Sequence, residues 1–163
     1  MAPSHSGNTS SRPPHDSGEI SILHVDDQAD FLEMAAHFFK RKHERFAVET
    51  ATSASEGLTR LSETEVDCIV SDYEMPGMNG LEFLEAVREE HPDLPFILFT
   101  GKGSEEVASD AISAGVTDYL QKEAGSDQFT LLANRIENAV HQTRTEHRLE
   151  ESHRRFRTLL SNV

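Results

Sequence analysis

The sequence has no tryptophan and a single cysteine, Cys68. One thiol cannot form a disulfide within the chain, so no cystine framework holds this fold, and a reducing cytoplasm fits. Cys68 sits inside an apolar run, where a buried, inert thiol is expected. Long hydrophobic runs are missing too. No stretch approaches the roughly 18 apolar residues that a membrane span needs. The opening MAPSHSGNTSSRPPHDSGE lacks the apolar segment of a secretory signal. Lysine is scarce, present only as Lys40, Lys42, Lys102 and Lys122. Lysine and arginine total 15 against 29 aspartates and glutamates, a formal net charge of −14. Such a surface repels phosphate backbones, which argues against direct nucleic-acid binding. The acid-rich, lysine-poor balance is similar to that of proteins from high-salt cytoplasm. Hydrophobic residues make up 36% of the 163, enough for one core of ordinary size with segments to spare at the ends.

Residues 1–18 are rich in Ser, Pro, Gly, Asn and His without periodicity and read as a disordered tail. From Glu19 the pattern changes. ISILHV (20–25), FAVETA (46–51), VDCIVS (66–71), LPFILF (94–99) and VTDYL (116–120) read as strands. Helical spacing fills the gaps: Phe31, Leu32, Ala35, Phe38 and Phe39 within 28–42; Ala54, Leu58 and Leu61 within 54–63; Leu81, Phe83, Leu84 and Val87 within 79–90; and a stretch over 104–113 capped by Ser104. A last helix starts near Asp127 and docks through Leu132, Ile136, Ala139 and Val140. Strand–helix repeated five times predicts an α/β fold, a doubly wound five-stranded parallel sheet of flavodoxin-like order 2-1-3-4-5. The alternation in 46–51 suits an edge strand.

The last helix is expected to run on past the domain. QTRTEHRLEESHRRFR is almost wholly polar, while Leu149, Phe156 and Val163 are spaced by seven with Leu160 between the last two. A coiled-coil-like seam and a solvated single helix both fit that spacing. Residues 19–142 are thus the main domain and 143–163 an extended linker helix. The apolar end FRTLLSNV gives the expectation that another domain follows.

Polar residues close the strands: Asp26 and Asp27 the first, Asp72 the third, Thr100 the fourth, Lys122 the fifth. In an open α/β sheet these ends form the ligand rim. Converging carboxylates repel by about 4 kcal/mol per pair at ~4 Å and an effective dielectric near 20. A hard divalent cation offsets this, and Mg²⁺ suits a shallow rim of oxygen donors. With the charge balanced, one carboxylate can attack a phosphoryl group, and Lys122 and Thr100 are the right types to receive its oxygens.

The acidic pair Asp26-Asp27, SDYEMPGMNG (71–80), FTG (99–101) and DYLQK (118–122) together resemble the response-regulator receiver domain of two-component signalling, over about residues 19–142. The resemblance implies that Asp72 is the phospho-acceptor. It implies that Asp26, Asp27, Asp72 and the main-chain carbonyl of Glu74 hold Mg²⁺, and that Thr100 and Lys122 contact the phosphoryl group beside Gly101. It places Tyr119 at the switch aromatic. The implied partner is a sensor histidine kinase or phosphotransfer protein, with a homodimer possible. No turnover enzyme is implied, since the chemistry is the domain's own phosphorylation and dephosphorylation. Glu123 stands where the family usually has a proline in a cis peptide, so cis geometry is not assumed at this bond and its conformation stays open. RRFRTLLSNV resembles the lead-in to a PAS sensor domain. Two other functions compete: a Mg²⁺-dependent aspartyl-phosphate phosphohydrolase, for which Asp72-Tyr73-Glu74 departs from the D-x-D pattern and no cap insertion is visible, and a binding-only pseudo-receiver.

Overall fold

The computed structural model describes residues 18–101 and 104–161. Strands and helices alternate as β1 (Ile20–Val25), α1 (Ala29–Lys42), β2 (Phe46–Ala51), α2 (Ala54–Glu63), β3 (Cys68–Ser71), α3 (Gly80–Glu90), β4 (Phe96–Thr100), α4 (Glu105–Ser113), β5 (Asp118–Gln121) and α5 (Asp127–Ser161). The strands are parallel in the order β2-β1-β3-β4-β5, the flavodoxin-like order that the sequence predicts. The tail expected over residues 1–18 falls, apart from Gly18, outside the described residues, as do Lys102, Gly103 and Val163.

Alternate strand residues divide the core in two. Ile20, Ile22, Val70, Ile97 and Phe99 pack under α1 and α5, against Phe39, Leu132 and Ile136. Leu23, Val25, Ile69 and Leu98 pack on the other face, against Ala54 of α2, Phe83 and Leu84 of α3 and Ala111 of α4. Both faces of the central strands are covered, which is why those strands are near-continuous apolar runs. β2 alternates because it is an edge.

Three strands begin two residues later than the sequence pattern predicts. At β3 the ladder starts at Cys68, because Asp67 turns its side chain back: its Oδ2 accepts from the Ser21 amide at 2.7 Å. At β4, Pro95 has no amide to donate, and pairing runs instead from Phe96 to Thr100. β5 is confined to Asp118–Gln121. The helix starts follow local chemistry. Ser53 caps α2, Asn79 and Glu82 form a reciprocal box on α3, and Ser104 caps α4 by accepting from the Val107 amide.

α5 passes residue 142 as one uninterrupted helix. Leu132, Ile136, Ala139 and Val140 are buried as expected, whereas Leu149, Phe156, Leu159 and Leu160 are between 57% and 68% exposed. Arg144 ties the departing helix to the body through the Glu19 carbonyl and Asp67. Among the described residues no helix is long and apolar enough to cross a membrane.

One core residue carries a pH dependence. His24 in β1 is 1% exposed, and neither ring nitrogen has a hydrogen-bond partner. Burial, then the nearby Lys122 charge, lowers its pKa to about 3. The imidazole therefore stays neutral in the fold, while in the unfolded chain it takes up a proton as pH falls through its ordinary value. Stability is fully present above that ordinary value and is lost as pH falls from about 6.5 toward 3, at about 1.4 kcal/mol per pH unit for this group. His24→Leu should remove that slope. In urea melts the wild type should lose about 2 kcal/mol more than the variant between pH 7 and pH 5.

Candidate functional site

Main-chain pairing brings the site residues to one edge. The Asp26 amide donates to the Ala51 carbonyl and the Asp72 amide to the Val25 carbonyl, so both aspartates sit one step past the paired ends of β1 and β3. Thr100 is the last residue of β4, and its carbonyl accepts from the Lys122 amide at 2.9 Å. Strands β1, β3, β4 and β5 therefore each deliver a polar residue to the same rim, while β2 ends in Ala51.

The side chains converge there. Lys122 Nζ lies 2.6 Å from Asp26 Oδ2 and 3.6 Å from Asp72 Oδ2. Asp26, Asp27 and Asp72 each offer a carboxylate oxygen within 4.8 Å of the others. Asp26 is fully buried, Asp72 nearly so, and Asp27 is exposed. Asp26 Oδ1 accepts from the Gln28 amide at 2.9 Å, which fixes the turn into α1. Asp72 Oδ1 accepts from the Tyr73 amide at 2.8 Å. Burial raises the Asp26 carboxyl above its ordinary value; hydrogen bonds from Lys122 and the Gln28 amide and the Lys122 charge oppose this, and the Asp72 charge adds to it.

An open cleft of about 420 Å³ is lined by Asp27, Asp72, Glu74, Pro76 and Asn79 among others, giving Asp72 an approach from solvent. Its wall bends as the MPGMNG stretch suggests. Gly77 has φ +80°, and the Gly80 amide returns to the Tyr73 carbonyl at 2.8 Å. Gly80 is required for a different reason: a Cβ there would lie 2.3 Å from the Asp72 carbonyl oxygen and 2.9 Å from Tyr73 Cα.

Apart from Tyr119, the expected site residues lie at or beside this rim. Thr100 is buried at the end of β4, Glu74 is exposed on the cleft wall, and Gly101 lies beside Lys122. Tyr119 packs into the core on the α4 side, with its hydroxyl buried and without a hydrogen-bond partner. No peptide bond among the described residues is cis, including Lys122–Glu123, in line with Glu123 replacing proline. Sequence reasoning missed Phe31, whose ring centroid is 4.2 Å from Lys122 Nζ. Its helical spacing marked it only as a core residue. A possible signal was its place one turn after the acidic pair.

Comparison with known proteins agrees with this geometry. The family model described as response regulator receiver domain matches residues 22–134. A putative NtrX-like response regulator of Rickettsia bellii is 32% identical over 118 residues, covering 71% of this chain and 24% of that protein. The response regulator SaeR of Staphylococcus aureus is 30% identical over 115 residues, covering 71% of this chain and 49% of SaeR. The chain thus spans half or less of these curated relatives. Among solved structures, a CheY-like receiver domain protein of Methanospirillum hungatei is 26% identical with a TM-score of 0.71, covering 78% of this chain and 98% of that one. CheY4 of Vibrio cholerae is 28% identical with a TM-score of 0.67, covering 72% and 98%. With the family model matched over well beyond half of its length, the chain belongs to the response regulator receiver domains of two-component signalling.

Proposed function

We propose that Asp72 accepts a phosphoryl group from a histidine of a sensor kinase or phosphotransfer protein in a Mg²⁺-dependent reaction, and that the modified domain switches a partner surface. One observation carries this reading: the Asp72 carboxylate lines an open cleft with Lys122 Nζ 3.6 Å away. An Asp72 oxygen attacks phosphorus, the phosphorus–nitrogen bond to the donor histidine breaks, and the imidazole leaves with the electron pair. Lys122 and the Thr100 hydroxyl are the groups suited to hold the transferred oxygens.

The donors fit a hard cation. Three carboxylates converge within 4.8 Å, one of them fully buried, with a single lysine between two of them. Asp26, Asp27, Asp72 and the main-chain carbonyl of Glu74 would hold Mg²⁺, which supplies charge neutralisation for the carboxylates and the phosphoryl oxygens. Lys122 already balances part of that charge through its short bond to Asp26.

The surface formed by α4, β5 and α5 is the proposed output, with Thr100 and Tyr119 as its switch residues. The orphaned Tyr119 hydroxyl supports this. A buried, unpaired hydroxyl disfavours the inward position, which therefore competes more closely with an outward one. Tyr119→Phe should raise stability to urea by about 1 kcal/mol. We assign residues 19–142 to the receiver and 143–163 to a linker helix, whose exposed Leu149, Phe156 and Leu160 are suited to pair with a second copy or to lead into a PAS-like domain.

Incubation with acetyl phosphate and Mg²⁺ should add the mass of one phosphoryl group, in a form released by hydroxylamine. Excess EDTA should prevent the addition. No mass gain with the metal present would overturn the proposal.

A further inference from the structure

Lys122 Nζ has three N–H bonds and two carboxylate neighbours. One bond goes to Asp26 Oδ2 at 2.6 Å, and Asp72 Oδ2 is at 3.6 Å. The ammonium also lies 4.2 Å from the centroid of the Phe31 ring. The Lys122 side chain is only 17% exposed, so this contact is made where water screens little.

Three aromatic side chains pack against the half-buried ring. His24 meets it at a centroid distance of 6.0 Å and 73°, Phe99 at 5.8 Å and Phe129 at 5.6 Å. These neighbours come from β1, β4 and α5, so three elements of the sheet edge fix one ring from α1. An aliphatic side chain would fill similar space. It would lack the negative face that attracts a cation.

We infer that Phe31 is a positioning residue of the phosphoryl pocket, whose ring face holds the Lys122 ammonium beside Asp72. The inference rests on the proposed phosphoryl transfer to Asp72. Its physical content lies in a change of partners. Asp26 is the strongest partner of Lys122, and it is also among the residues assigned to Mg²⁺. A carboxylate shared with a cation binds the ammonium less strongly. Phe31 makes no such exchange, so it keeps Lys122 near Asp72 when the Asp26 contact weakens.

The test compares Phe31→Leu, Phe31→Tyr and a chain carrying 3,4,5-trifluorophenylalanine at position 31. The fluorinated ring keeps its size while its face loses negative charge. Three readouts are taken: initial phosphoryl uptake from acetyl phosphate with Mg²⁺, thermal melting, and the NMR shifts of the Lys122 ε-methylene protons. Those protons should carry a ring-current shift in the wild type and in Phe31→Tyr that is lost in Phe31→Leu. Uptake should fall roughly three- to thirtyfold in Phe31→Leu and in the trifluoro chain. Phe31→Tyr should stay near the wild type, and melting of the trifluoro chain should be unchanged. Trifluoro uptake equal to wild type would overturn the inference, as would a Lys122 shift indifferent to Phe31→Leu. If the wild type takes up no phosphoryl group, the transfer proposal fails. The proton shifts then decide separately whether the ring holds the lysine.

Discussion

Asp72→Asn should lower phosphoryl uptake from acetyl phosphate by roughly a hundredfold or more, because an amide oxygen is a poor nucleophile and, of the three carboxylates at the rim, Asp72 is the proposed acceptor. The substitution nearly preserves shape, so the loss should not reflect unfolding. The Asp72 amide keeps its bond to the Val25 carbonyl, and an asparagine side-chain oxygen can still accept from the Tyr73 amide. Lys122 keeps Asp26, at 2.6 Å its nearer partner. Removing one charge from a group of three carboxylates also relieves repulsion, and the Asp72 charge is among the influences that raise the Asp26 carboxyl. The variant should therefore melt at or above the wild-type temperature while failing to label. Wild-type uptake by the asparagine variant would exclude Asp72 as the acceptor.

The second large effect is on stability. Gly80→Val should cost about 3 kcal/mol or more, a large share of the total for a domain of this size. Even the first added atom would lie 2.3 Å from the Asp72 carbonyl oxygen, which is backbone and cannot rotate aside, and 3.0 Å from Leu98 Cδ1. Gly80 is also the first residue of α3, and its amide bonds to the Tyr73 carbonyl. The strain would be relieved either by moving the 72–73 backbone or by unwinding the start of α3. Either response displaces Asp72 from Lys122, so phosphoryl uptake should fall along with the urea midpoint. A Gly80→Val chain as stable as the wild type would show that this approach is looser than described.

Much of the fold was legible because apolar runs of strand length alternate with helical spacing. VDCIVS and LPFILF read as central strands because they are near-continuous apolar runs, and FAVETA read as an edge because it alternates; in the sheet β2 pairs with β1 alone. Starting points were less legible. Asp67 still donates its amide to the Ser21 carbonyl, but its carboxylate takes the Ser21 amide, a partner far away in the sequence, and the ladder starts one residue on. The rim residues Asp26, Asp72, Thr100 and Lys122 stood out because each interrupts an apolar run at a strand's carboxyl end. His24 did not, since a histidine within ISILHV carries no mark of its complete burial. Phe31 satisfied the helical pattern of α1 and so looked like packing alone. Its closeness to Lys122 depends on how α1 lies over the sheet. Gly80 read as the start of the helical stretch 79–90, whereas the structure makes it a matter of contact with the Asp72 backbone.

The most direct test is chemical mapping of the modified residue. The chain is treated with acetyl phosphate and Mg²⁺, reduced with borohydride, digested and sequenced by tandem mass spectrometry. Reduction converts an aspartyl phosphate to homoserine. Homoserine at position 72 and at no other aspartate is the expected result; homoserine at Asp26 or Asp27, or at none of the three, would contradict the assignment of Asp72 as phospho-acceptor.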